Sequence, residues 1–432
     1  MAAVRRSRYD GEILRLALPA LGALAAEPAY LLADTAIVGH LGTPQLAALA
    51  LAAIVLGGVV GLSIFLTYGT TARVSRLHGA RHHDEAGAFA AQALWLALAL
   101  GAAILLVVEV AAPGLTSLLG GSGDVGRMAT RYLRIGVLGV PMALIALAAQ
   151  GWLRGVGDLR TPLVIVLAAN VANVVLEVVL VYGFRTGLDG SAAGTVIAQA
   201  GMGLAFALVL LRAPADSRAP DLARIRSLGS IGAVLFVRSA SLYGCFTLAT
   251  AVSARIGAPS LAAHQIGFQL FNALALVLDA IAIAGQVIVG RALGAGDVDG
   301  AFAAARRMLE WSLVAGVVLA GALLALTSVI PRAFTPDPAV IDRAQAMWPL
   351  FCLLMVPAAV VFALDGILIG AGDARFLAGA MVLALVVFAP IVLAADTIGM
   401  VWVALDVLML VRLVTLAARF ARGRWALAGA TT

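Results

Sequence analysis

Long apolar runs alternate with short polar breaks along the whole chain. Twelve such runs can be read, at about 12–38, 46–72, 86–112, 128–151, 161–183, 189–211, 226–253, 260–290, 302–330, 341–369, 374–395 and 398–419. At ~1.5 Å per residue a helix of this length crosses the ~30 Å hydrocarbon core of a bilayer. The runs also repeat. RIGAPSLAAH at 255–264 echoes HLGTPQLAAL at 40–49, DGILIGAGD at 365–373 echoes QGWLRGVGD at 150–158, and RALGAG at 291–296 echoes RLHGAR at 76–81, each at an offset of 215. The pattern predicts an all-α polytopic membrane protein of twelve transmembrane helices in two parallel six-helix bundles related by a pseudo-two-fold axis along the membrane normal. The expected division is an N-lobe over 1–212, a linker over 213–225 punctuated by Pro214 and Pro220, and a C-lobe over 226–432.

Polar residues inside the runs are few, and their spacing is helical. Asn170, Asn173 and Glu177 share one face of span 5, and Glu27, Tyr30 and Asp34 share one face of span 1. Counting from the glycines that close these spans, Asp34, Glu177 and Thr195 of span 6 fall at one depth. Adding 215 to Asp34, Asn173 and Glu177 gives Ala249, Phe388 and Val392, so only the first half carries the acid pair. An ionisable group within a membrane span is by default a functional group with a partner to be found. Two carboxylates in a low-dielectric site need a cation between them or a proton on one of them, which makes the pair a coupling device. The oxygens of Asp34, Asn173, Glu177 and Thr195 suit H+ first and Na+ as the second choice. Pro19 and Pro28 remove backbone donors from span 1 and mark it as a candidate hinge.

Composition removes several function classes. Hydrophobic residues are 62% and charged ones 12%, leaving no room for a sizeable soluble domain. All 29 basic residues are arginine, so a phosphate loop with its lysine and a lysine Schiff base are both excluded, and ATP-driven pumping by this chain with them. With the N-terminus inside, 21 arginines fall at cytoplasmic ends and 7 at outer ends, with Arg238 within span 7. This places both termini in the cytoplasm and accounts for the basic balance without a nucleic-acid surface. The first span lacks a cleavage pattern and is expected to be retained. Neither a zinc-binding helix motif nor a serine-nucleophile elbow occurs, so no enzyme activity is expected. No cofactor is expected. Cys245 and Cys352 lie apart as small buried hydrophobes.

Several motifs together point to one family. ADTAIVGHLG in span 1, the RGVGDLRTP turn at Arg154–Pro162, Asn173-x-x-x-Glu177, GSAAGTVIAQ leading span 6 and AAHQI at 262–266 resemble the multidrug and toxic compound extrusion (MATE) transporters. Arg238 and the Asp365–Gly366 pair are similar to their DinF-like branch. The resemblance covers essentially the whole chain and implies the MATE/MOP-type fold and antiport across the inner (plasma) membrane. It implies an ion site at Asp34, Asn173, Glu177 and Thr195. It implies drug-cavity lining at Tyr30, Tyr132, Gln150 and Glu27, which Asn170 joins by its helix face. The span-5 acid, often Asp in relatives, is Glu177 here. Asp279 and Asp365, inside spans 8 and 10, either take part in coupling or are neutralised by Arg238 as a structural charge network.

The expected function is therefore export, by a monomer in the lipid bilayer, of amphipathic, cationic small molecules in exchange for H+ or Na+. Export of a particular metabolite or organic acid and flipping of a lipid-linked intermediate are the alternatives. Among remaining residues, His264 is expected to be hydrogen-bonded near a helix end. Gly151, Gly155 and Gly157 are expected to serve helix packing and a turn. Trp152, Trp311, Trp348, Trp402 and Trp425 are read as interface belts.

Overall fold

The computed structural model describes residues 7–430. In chain order the helices are α1 (Asp10–Gly39), α2 (Thr43–Leu62), α3 (Phe65–Gly79), α4 (His83–Leu118), α5 (Gly123–Gly136), α6 (Val140–Val156), α7 (Arg160–Val178) and α8 (Leu188–Leu211). There follow α9 (Leu222–Ile256), α10 (Ala258–Gly294), α11 (Val298–Ala325), α12 (Ile330–Phe334), α13 (Pro338–Gly370), α14 (Ala374–Leu393) and α15 (Ile398–Ala421). Among the described residues they make twelve segments long and apolar enough to cross a membrane. All twelve predicted spans are present.

Two spans are broken, which apolar patterning could not reveal. Span 2 is interrupted between α2 and α3, where the Ser63 hydroxyl donates to the Val59 carbonyl one turn back, a bond that competes with the helix ladder. Span 4 passes through a 3-10 turn at Val137–Gly139 before Pro141 opens α6. Span 9 ends at Ala325, five residues earlier than the hydropathy implies, and a short helix follows. By contrast α1 runs unbroken through Pro19 and Pro28.

The chain divides into two compact units. One comprises residues 22–232, the other residues 7–21 with 233–430. Spans 1 and 7 therefore each begin in the unit to which most of their length does not belong, whereas contiguity in sequence assigns each span whole to one lobe. The first turns of α1 are held to the second unit by charge. Asp10 accepts from Arg307 Nε at 2.6 Å, Arg307 Nη2 at 2.9 Å, Trp311 Nε1 at 2.9 Å and its own Ser7 N at 2.8 Å. Glu12 pairs with Arg291, and the Tyr9 hydroxyl donates to the Gly300 carbonyl at 3.1 Å. In the first unit the start of α9 packs on α3, with Gly232 against the Phe65 ring and Leu228 over Gly69.

Duplication is written in the backbone as well as the sequence. Gly42 and Gly257 have φ of 137° and 143°, Gly157 and Gly372 have 85° and 77°, and Arg81 and Gly296 have 64° and 78°. Each pair is 215 residues apart. The closest helix crossings repeat in the same way. A Cβ on Gly151 would fall 2.7 Å from the Thr67 carbonyl oxygen of α3, and one on Gly366 would fall 2.3 Å from that of Ala282 in α10. Gly155 and Gly370 lie one turn on and are equally tight, so both crossings are Gly-x-x-x-Gly contacts that only glycine permits. Gly157, left-handed at the end of α6, makes the turn, and Asp158 caps α7 by accepting from Arg160 N and Thr161 N.

The tryptophans correct an expectation. Trp348, Trp402 and Trp425 are buried in the second unit instead of lying in an interface belt. Trp348 Nε1 donates to the Leu323 carbonyl at 2.8 Å and Trp425 Nε1 to that of Phe420 at 3.1 Å. An indole whose N–H is satisfied by a helix carbonyl gains more from packing than from the headgroup region. Trp311, one of the expected belt residues, donates to Asp10.

Candidate functional site

In the first unit three helices converge on the predicted acids. Asp34 lies on α1 and Glu177 near the end of α7, 4% and 0% exposed, and α8 lies against both. Gly194 makes that approach possible, because a Cβ there would stand 3.2 Å from both Cγ and the backbone N of Glu177. One turn apart on α8, Ser191 and Thr195 offer hydroxyls to the two acids in parallel. Ser191 Oγ donates to Asp34 Oδ1 at 3.0 Å, and Thr195 Oγ1 donates to Glu177 Oε1 at 3.2 Å. The Asp34 and Glu177 carboxyls lie close enough to interact electrostatically. The Tyr30 hydroxyl lies 3.2 Å from Thr195 Oγ1, and that of Tyr132 faces Ser191 and Thr195.

Buried Asn173 shares the Glu177 face of α7, four residues before it. Among the described residues Asn173 Oδ1 and Glu177 Oε2 have no hydrogen-bond partner, so two buried acceptor oxygens on this face of α7 stay unspent. Asn170 ties α7 to α1 by donating from Nδ2 to the Ala26 carbonyl at 2.9 Å, and the Tyr182 hydroxyl does the same to Ile37 at 2.6 Å. Immediately after Glu177 the helix widens into a π-turn over Val179–Gly183, a departure found mostly at functional positions. The acceptor atoms of the cluster are all oxygens. That donor set suits a proton shared between carboxyls or a hard monovalent cation.

The structure thus brings Asp34, Asn173, Glu177, Thr195, Tyr30 and Tyr132 to one place. Glu27 is exposed on α1 and Gln150 half-buried on α6, and neither hydrogen-bonds to the cluster. Ser191, which sequence reasoning missed, carries a legible signal: it stands four residues before Thr195 in the same GSAAGT stretch.

The charge network of the second unit is larger than its sequence pattern implied. Asp365 Oδ2 accepts from Arg238 Nη2 at 2.7 Å and also from Arg412 Nη2. Arg412, one of the 21 arginines that the sequence count places at cytoplasmic ends, is 3% exposed, and its guanidinium is buried and bonded within the bundle instead. Asp279 is half-buried on α10. His264, seven residues into α10 and 1% exposed, has Nε2 3.2 Å from Thr250 Oγ1 and its ring 5.9 Å from that of Trp402.

Twelve membrane-crossing helices in two duplicated bundles, with acids buried among their hydroxyls, define a multi-pass membrane transporter. Residues 19–179 and 235–393 match the MatE family model, and the chain belongs to that family. It is 32% identical over 426 residues to Protein DETOXIFICATION 44, chloroplastic, of Arabidopsis thaliana, covering 93% of this chain and 80% of the relative. It is 31% identical over 436 residues to DNA damage-inducible protein F of Escherichia coli (strain K12), covering 96% and 94%. Among solved structures, a MATE protein in the bent conformation superposes with a TM-score of 0.88 at 20% identity, covering 97% of this chain and 95% of that one.

Proposed function

We propose that this transporter is a secondary antiporter that exports amphipathic, cationic compounds in exchange for H+, with the Asp34–Glu177 pair as the coupling site. The adjacency of the two carboxyls carries this reading. Each has a hydroxyl of its own from α8, yet one oxygen of Glu177 remains without a donor. A shared proton neutralises one charge of the pair, and a substrate cation neutralises the same charge, so the two compete. Loading from one side and release on the other then exchanges proton for substrate. The arginine distribution supports both termini facing the cytoplasm in an inner (plasma) membrane, so an inward proton adds ~2.3 kcal/mol per 100 mV to its concentration gradient. Na+ is the second coupling ion to test, since the oxygens of Asp34, Asn173, Glu177 and Thr195, joined by Ser191, are hard ligands. Tyr30, Tyr132 and Asn170 line the approach to the pair. Pro19, two residues before the boundary between the units, is the hinge candidate of α1.

The test is transport of a fluorescent cation into proteoliposomes under an imposed pH or Na+ gradient, for wild type, Asp34→Asn and Glu177→Gln. Loss of gradient-driven transport in both variants is expected; normal export by both overturns the coupling assignment. A second reading, export of an anionic metabolite, is favoured by two guanidiniums on one carboxylate oxygen at Asp365. Competition of a panel of organic anions against the fluorescent cation separates the two.

A further inference from the structure

The C-lobe contains a carboxyl that the coupling scheme does not use. Asp406 lies on α15, eight residues from its start, which at ~1.5 Å per residue is ~12 Å inside a helix of membrane-spanning length. Both of its carboxyl oxygens are shielded from solvent, and among the described residues neither has a hydrogen-bond partner. Among the described residues no ion pair reaches it. Arg412, on the same helix, is turned to Asp365, and Arg419 to Asp373. Of the helices packed against α15, α13 carries Cys352 and Asp365, with Asp342 and Arg343 exposed near its start, and α14 carries Arg375 at its far end. Beyond them, α9 carries Cys245 and Arg238, and α10 carries Asp279 and His264. The ring of His264 meets Trp402, which lies one turn from Asp406 on the same face of α15.

The surroundings of Asp406 are short of partners in a consistent way. Trp402 Nε1 and His264 Nδ1 are also buried without a bond, so three adjoining polar side chains hold four unspent polar atoms. A carboxylate with no donor, ion pair or water exposure inside a membrane helix bundle is too costly to keep as an anion. A carboxylic acid needs no counter-charge. We infer that Asp406 is a second proton-binding site, located wholly within the C-lobe and separate from the Asp34–Glu177 pair.

Infrared difference spectroscopy with a pH jump, on purified protein in nanodiscs, reads this site directly. It is done in the Asp34→Asn, Glu177→Gln background, so the result does not depend on the role given to that pair. The carbonyl band of a protonated acid is expected to persist in the double variant and to disappear when Asp406→Asn is added. Asp406→Glu, which keeps a carboxyl, is expected to retain the band at a shifted frequency and guards against loss through misfolding. An unchanged band on adding Asp406→Asn, in protein that remains monodisperse, overturns the assignment.

Discussion

Competition for one charge has a slope that can be measured. Under the proposed competition at the carboxyl pair between α1, α7 and α8, binding of one substrate cation is expected to displace one proton. One proton per binding event changes the binding free energy by about 1.36 kcal/mol per pH unit, which is about tenfold in affinity. The sign follows from competition: as pH falls the pair fills with protons and the substrate Kd rises. Fluorescence titration of a cationic dye into detergent-solubilised protein, repeated across pH, gives the slope. Wild type is expected to lose about tenfold per unit over the window in which the pair titrates. Asp34→Asn and Glu177→Gln, each left with one carboxyl and no neighbour to share with, are expected to vary by less than about twofold per unit there. Repeating the series against Na+ concentration at fixed pH reports the other ion in the same way. A tenfold pH slope surviving in both variants refutes the pair as the locus of competition.

Other consequences are smaller and equally direct. Arg81 holds a left-handed φ of 64° where its duplicate, Gly296, is glycine, so Arg81→Gly is expected to stabilise by about 1 kcal/mol, read as a higher Tm by scanning fluorimetry. Gly366→Ala puts a methyl 2.3 Å from the Ala282 carbonyl oxygen and is expected to cost about 3 kcal/mol, whereas Gly321→Ala, with nothing within 4 Å, is expected to stay within about 0.5 kcal/mol by the same assay. Asp10→Ala removes the acceptor of three side-chain bonds from Arg307 and Trp311 and is expected to lower Tm more than Asp124→Ala, whose partner Arg127 is exposed.

The number of spans, their approximate positions and the duplication were legible, because apolar run length and a constant offset are properties of the chain alone; the helix ends, as at Ala325, were not. The acid pair was legible too: Asp34 and Glu177 interrupt apolar runs at helical spacing, and counting from span ends puts them level. What escaped depends on partners. Arg412 looked like one more arginine near a span end, since nothing in its own helix announces Asp365. Asp406, within ALDVLML, is masked by the same hydropathy that identifies the span. The belt assignment failed because position along a span says nothing of whether an indole faces lipid or a neighbouring helix. The breaks at Ser63–Ile64 and Val137–Gly139 escaped because the apolar pattern continues through them.

The exchange of opening turns between α1 and α9 has a bearing on how the two halves could ever have lived apart. A polypeptide ending in the linker after α8 would leave Gly69 and Phe65 without the Leu228 and Gly232 that cover them. The complementary fragment, starting near Leu222, would leave Arg307 and Trp311 without Asp10. Each severed piece therefore carries the plug for the other's gap, and coexpressed fragments have a built-in address by which to find one another.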